Sequence, residues 1–292
     1  MTLMRRWFAS VSVILAMVGG ALVLPSSASP TSDRPYELKV PAGYDGNQPV
    51  PLVMLLHGYT SKGITQANYF GLPALADKEG FLLAYPDGTR DRFGNRFWNG
   101  TDACCDFFRS GVDDVAYIDA VIDDIAAKYR VDPARVFVAG HSNGAFMAHR
   151  YACDRSAKVA AIVTLAGMQW TDQSHCKPES PVSVLHVHGR NDSTIRYDGG
   201  STPGGPYPGA VETVGDWAAH DACTGQLAAT GRKLDLERTV AGDETVEQAF
   251  SGCPTGVDIG LWTIEGGGHV PAFNDHWAEA IWAFMSTHPK AS

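Results

Sequence analysis

The chain has 292 residues, 45% of them apolar, and a formal net charge of −9. That size is large for one domain but ordinary for a single α/β fold with a well-buried core. The acidic balance, with no Lys/Arg cluster beyond the first residues, excludes phosphate-backbone binding and so nucleic acid as an expected partner.

In chain order, Arg5 and Arg6 precede an apolar run, Trp7 to Leu24, that ends in Ser26-Ser27-Ala28. This is the pattern of a secretory signal with a small-residue cleavage site. The alternative, an uncleaved membrane anchor, is weakened by Ser10, Ser12, Gly19 and Gly20 within the run. The expected division is a signal peptide at 1–28 and one domain at 29–292, exported, soluble and without stable membrane association. Export places the six cysteines where disulfides persist. Nearness in the chain favours Cys153 with Cys176 and Cys223 with Cys253. Cys104 and Cys105 then remain, as a vicinal bridge or as two free thiols. No CxxC or HxxxH spacing accompanies them, so no metal is expected.

Short apolar runs at 51–56, 81–85, 135–139, 160–165, 182–187 and 261–264 read as buried strands. Helical patterns lie among them. Val115, Ile118, Val121, Ile122 and Ile125 mark the 3.6-residue period within 112–129, and further helices are expected at 145–152 and 275–287. Alternating polarity on both sides of Ala241-Gly242-Asp243 predicts an edge hairpin over 234–250. The Gly/Pro-rich 199–209 segment reads as an ordered loop near the mouth of a site or as a plain linker. The alternation of strands and helices predicts a mostly parallel twisted sheet with helices on both faces.

Gly140-His-Ser-Asn-Gly144 follows one strand run and precedes one helix, the context in which a sharp turn exposes a serine oxygen. Ser142 is therefore the candidate nucleophile, and a serine hydroxyl needs a base to take its proton. Asp192 leaves the end of the 182–187 run and is the candidate orienting carboxylate, with Asp198 and Asp216 in reserve. His269, freed by Gly266-Gly-Gly268, comes last in the chain and is the candidate base. His186 and His188 are read as pointing to opposite faces of their strand, and His141 and His149 as groups flanking the nucleophile. Negative charge developing on a substrate carbonyl calls for preorganised N–H donors. The backbone N–H groups of Tyr59, in His57-Gly58-Tyr59, and of Asn143 are the two expected. Trp170, Trp98 and His141 are the candidate substrate-contacting side chains, each aromatic being equally well read as core.

Leu55-Leu-His-Gly58, Trp98-Asn-Gly100, Val112-Asp-Asp-Val115, Gly140-His-Ser-Asn-Gly144, Leu165-Ala-Gly-Met168, His188-Gly-Arg-Asn-Asp192 and Gly266-Gly-Gly-His269 occur in that order across the mature chain. Together they resemble secreted esterases of the polyhydroxybutyrate depolymerase and feruloyl esterase type. The resemblance implies an α/β-hydrolase fold and a Ser142, Asp192, His269 triad, with no cofactor. It implies as substrate a polyester or its oligomers, or alternatively feruloyl or acetyl esters on plant polysaccharide. A secreted acyltransferase and a non-catalytic surface protein are the competing classes. A monomer is expected. No lid-sized insertion follows the sixth strand run, so the site should be open.

Overall fold

The computed structural model describes residues 34–290; the signal-like segment lies outside the described residues. The strands are β1 (Leu38–Lys39), β2 (Val50–Leu56), β3 (Leu82–Ala84), β4 (Thr89–Arg90), β5 (Arg96–Phe97), β6 (Val131–His141), β7 (Ala161–Leu165), β8 (Ser183–Gly189), β9 (Gly200–Thr202), β10 (Gly205–Tyr207), β11 (Leu227–Leu234), β12 (Thr245–Phe250) and β13 (Ile259–Ile264). The helices are α1 (Gly63–Phe70), α2 (Leu72–Glu79), α3 (Asp114–Lys128), α4 (Asn143–Asp154), α5 (Ala210–His220) and α6 (His276–Thr287).

Nine strands form one sheet in the order β1-β3-β2-β6-β7-β8-β13-β12-β11. From β3 to β13 every neighbouring pair is parallel, while β1, β12 and β11 are antiparallel at the edges. The central strands β2, β3, β7 and β13 are largely apolar because both of their faces are covered. In β2, Leu52, Met54 and Leu56 enter one core, with residues of α3, α4 and α5. Val53 and Leu55 enter the other, with residues of α1, α2 and α6. The side-chain period of two thus distributes one run between two helical layers.

The mostly parallel sheet agrees with the sequence reading, as do the helices expected near 112–129, 145–152 and 275–287. In α3 the Asp113 carboxylate caps the first turn by accepting from the Ala116 N–H at 2.9 Å. The hairpin differs in placement. Its first arm is Leu227–Leu234, and residues 235–244 form a loop. The cause is Glu244, buried, whose Oε1 accepts from the Leu236 and Glu237 N–H groups and the Thr245 hydroxyl. Those N–H groups are satisfied by a carboxylate instead of by a partner strand. The 199–209 segment is ordered, with β9 and β10 as a small ribbon packed on the 102–104 loop through Gly204.

Three disulfides join Cys104 to Cys105, Cys153 to Cys176 and Cys223 to Cys253. Among the described residues no helix is long and apolar enough to cross a membrane.

Candidate active site

β6 ends at His141 and α4 begins at Asn143, so Ser142 occupies the turn between them with φ 54° and ψ −121°. A non-glycine residue held there is strained, and the surrounding packing must enforce it. Two glycines make the turn compatible with its surroundings. A Cβ on Gly140 would lie 2.2 Å from the Gly144 carbonyl oxygen, and one on Gly144 would lie 2.1 Å from the Leu56 oxygen. The Ser142 N–H donates to the Leu165 carbonyl at 2.8 Å, and its own carbonyl accepts from Ala145 at 2.8 Å. The hydroxyl is thereby fixed at the carboxyl ends of the parallel strands, where open α/β sheets place their sites.

Two loops leave neighbouring strands to meet it. The loop after β8 carries Asp192 and the loop after β13 carries His269. They are tied together by the Asn191 N–H donating to the Gly267 carbonyl at 2.9 Å and the Arg190 N–H donating to Ile264 at 3.0 Å. His269 Nε2 lies 3.0 Å from Ser142 Oγ, and its Nδ1 lies 2.7 Å from Asp192 Oδ2. The other carboxylate oxygen accepts from the Thr194 and Ile195 N–H groups at 2.8 and 2.9 Å. Burial opposes ionisation of Asp192, but hydrogen bonds from His188 and His269 outweigh it, and its carboxyl is held well below the usual carboxylate range. Neither reserve acid reaches His269: Asp198 pairs with Arg190, and Asp216 accepts from Gln173.

The His57-Gly58-Tyr59 turn abuts the nucleophile, since a Cβ on Gly58 would lie 3.4 Å from Ser142 Cβ. Among the described residues, the backbone N–H groups of Tyr59 and Asn143 have no acceptor. Donors left free beside a serine oxygen can receive a developing oxyanion. The turn is braced from behind. His57 Nδ1–H donates to the Gly58 carbonyl at 2.7 Å while Nε2 accepts from the Gly88 N–H at 2.9 Å. Burial pushes the His57 imidazole down to about 4, so this arrangement needs only the neutral ring.

Trp98 corrects the sequence reading. It is fully buried and offers no face to a ligand. Its indole N–H donates to the His57 carbonyl at 3.1 Å, and its backbone N–H and C=O are clasped by the Asn143 side chain at 2.7 and 2.9 Å. Trp98 therefore joins the serine turn to the Tyr59 turn, a role that needs burial. His141 is likewise not a cleft wall. Its Nε2 meets the His269 carbonyl at 2.9 Å, and burial, with the nearby His269, pushes its ring down to about 4. As a neutral donor it holds the backbone of the loop that carries the imidazole. Trp170, itself mostly buried, edges a cleft of about 530 Å³ with Asn99, Thr101, Asp106, Phe107 and Arg150, and none of Ser142, Asp192 and His269 lines that cleft. Phe107 also packs edge-on against Tyr59, with ring centroids 5.6 Å apart.

His186 and His188 are on the same face of β8, not on opposite faces, because residues two apart in a strand share a side. Their rings are hydrogen-bonded, Nε2 to Nδ1, at 3.1 Å. The His-x-His spacing is the sequence signal of this shared face.

A serine on a strained strand-to-helix turn, an imidazole and a buried carboxylate at the carboxyl edge of a parallel sheet define the α/β-hydrolase class. The chain belongs to the Esterase PHB depolymerase family, whose pattern it matches over residues 34–230. It is 28% identical over 244 residues to feruloyl esterase B of Piromyces equi, which covers 81% of this chain and 42% of that protein. A bifunctional acetylxylan esterase/xylanase of Neocallimastix patriciarum is 27% identical, over 81% of this chain and 31% of that one. The chain thus spans less than half the length of both relatives. Acetyl xylan esterase from Aspergillus awamori shares the fold, with a TM-score of 0.59 at 16% identity, covering 89% of this chain and 96% of that one.

Proposed function

We propose that this protein is an exported serine esterase that cleaves carboxylic esters through an acyl-enzyme. The observation that carries the reading is the continuous set of contacts from Ser142 Oγ to His269 at 3.0 Å and from His269 to Asp192 at 2.7 Å, with Ser142 on its strained turn. Ser142 Oγ attacks the ester carbonyl carbon and passes its proton to His269 Nε2. The tetrahedral oxyanion receives the Tyr59 and Asn143 N–H groups. On collapse, the alcohol leaves with the proton from His269, and a water activated by the same imidazole releases the acid. Asp192 keeps the proton of neutral His269 on Nδ1, leaving Nε2 free to act as base.

The substrate reading is an aromatic or acetyl ester on a polysaccharide. It rests on the feruloyl and acetylxylan esterase relatives and on the cleft lined by Phe107, whose ring packs on Tyr59, together with Asn99, Thr101, Asp106 and Arg150. Sugar hydroxyls find donors and acceptors there. A polyester is the second reading, supported by the family and by the exposed pair Phe93 and Phe108, whose rings lie 5.4 Å apart. A fluorophosphonate probe should label Ser142, and Ser142→Ala should lose both labelling and p-nitrophenyl acetate hydrolysis. Activity surviving that change refutes the mechanism. Methyl ferulate, acetylated xylan and polyhydroxybutyrate, each assayed with wild type and Ser142→Ala, decide between the two substrate readings. Adding a polyol acceptor separates hydrolysis from acyl transfer.

A further inference from the structure

Asp192 Oδ2 serves two imidazoles. Opposite the 2.7 Å contact with His269, His188 Nε2 lies 3.2 Å from the same oxygen and 2.8 Å from the Ile195 carbonyl. Both atoms are acceptors, so His188 Nε2 must carry a proton. Its Nδ1 faces His186 Nε2 at 3.1 Å, and His186 Nδ1 faces the Thr164 hydroxyl at 2.9 Å. Three protons then order the set: Thr164 donates to His186, His186 to His188, and the one Nε2–H of His188 is shared between the Ile195 carbonyl at 2.8 Å and Asp192 Oδ2 at 3.2 Å. The set is built by register. Thr164 stands beside His186 across β7 and β8, and His186 and His188 share a face. Thr164, His186 and His188 are all fully buried.

We propose that His188 is a positioning residue for the esterase reaction, which sets the basicity of His269 by competing with it for Asp192 Oδ2. A second N–H on that oxygen withdraws negative charge that would otherwise stabilise the His269 imidazolium. Removing that N–H would return the charge to the oxygen and favour the imidazolium. Other groups packed around the set leave this relation intact. His141 on β6, with its ring 5.1 Å from that of His269, and His186, with His149 of α4 at 5.9 Å, are pushed down by burial. Tyr197 packs edge-on against His188 and bonds to Thr263, and burial pushes its phenol up. Arg190, over Tyr197, together with Asp198 and Glu265, brings charge at the rim that is common to wild type and variant.

This inference rests on the triad reading, and two measurements separate them. In the wild type, long-range ¹H–¹⁵N correlation should find His188 protonated on Nε2; a neutral ring protonated on Nδ1 overturns the inference without any variant having to fold. In His188→Phe, the acid limb of kcat/KM for p-nitrophenyl acetate should move up by about one pH unit, the scale of one charge-assisted contact. KM should stay unchanged at the plateau. His188→Gln, which restores an N–H near the position of Nε2, should bring the limb back toward wild type. Acid limbs matching wild type in both folded variants refute the role of His188 while leaving the triad standing. Activity in Ser142→Ala refutes the triad while the nitrogen correlation still reports on the His188 contact.

Discussion

Asp192→Asn tests the site with almost no change of shape. Oδ1 of Asp192 accepts two backbone N–H groups, from Thr194 and Ile195. In the variant only the amide oxygen can take those bonds, so the amide NH₂ must face His269 Nδ1 and the N–H of His188. Nδ1 then becomes an acceptor, and the imidazole proton moves to Nε2, pointing at Ser142 Oγ. In that tautomer His269 cannot act as base. Loss of the working tautomer costs on the order of 10⁴ in kcat, or about 5 kcal/mol of barrier. The assay is p-nitrophenyl acetate hydrolysis near pH 8, with circular dichroism confirming the fold. Activity within about tenfold of wild type would refute the assignment of Asp192 as the residue that fixes the tautomer.

Trp98→Phe keeps one buried aromatic ring but removes the pyrrole half of the indole and with it the N–H on the His57 carbonyl. It should lower kcat by about tenfold, the scale of one neutral hydrogen bond, with KM unchanged; a rise in KM alone would make Trp98 a binding residue after all. Asp221 is buried, which pushes its carboxyl up to about 7 against the Val182 N–H and Lys290. Its folded value thus exceeds the unfolded value of about 3.9, so its contribution to stability is present below about pH 4 and is lost as pH rises through about 7. Asp221→Asn should therefore gain in Tm relative to wild type between those limits, and a constant Tm difference across that range sinks the argument. Removing the Cys153–Cys176 bridge, with a sequence separation of 23, by a double serine variant should cost about 3 kcal/mol in chemical denaturation. An unchanged midpoint would show that the bridge adds nothing.

The serine turn, the carboxylate and the histidine were legible as types in order, because each demands a local sequence: glycines around Ser142, a strand end before Asp192, glycines before His269. The central strands were legible for a related reason, being apolar on both faces. The edge hairpin was displaced because alternation in 235–244 is also what a loop folded around buried Glu244 produces. Helices α1, α2 and α5 are less legible, because their buried faces, although at helical spacing, include small or polar residues such as Gly63, Gln66, Ala210 and Thr213 that blur the apolar period.

Sequence by itself determined the central strands, helices α3, α4 and α6, their alternation and the chain order of Ser142, Asp192 and His269, since these follow from local propensity and spacing. Tertiary structure alone decided that Trp98 is a brace, that His141 holds the His269 backbone, and that Asp192 answers to His188 as well as to His269. Each depends on which strands lie side by side. The order β7-β8-β13 sets Thr164, His186, His188, Asp192 and His269 within reach of one another across about a hundred residues of chain. Hydrogen bonds act over about 3 Å, and only the packed sheet brings such distant residues that close.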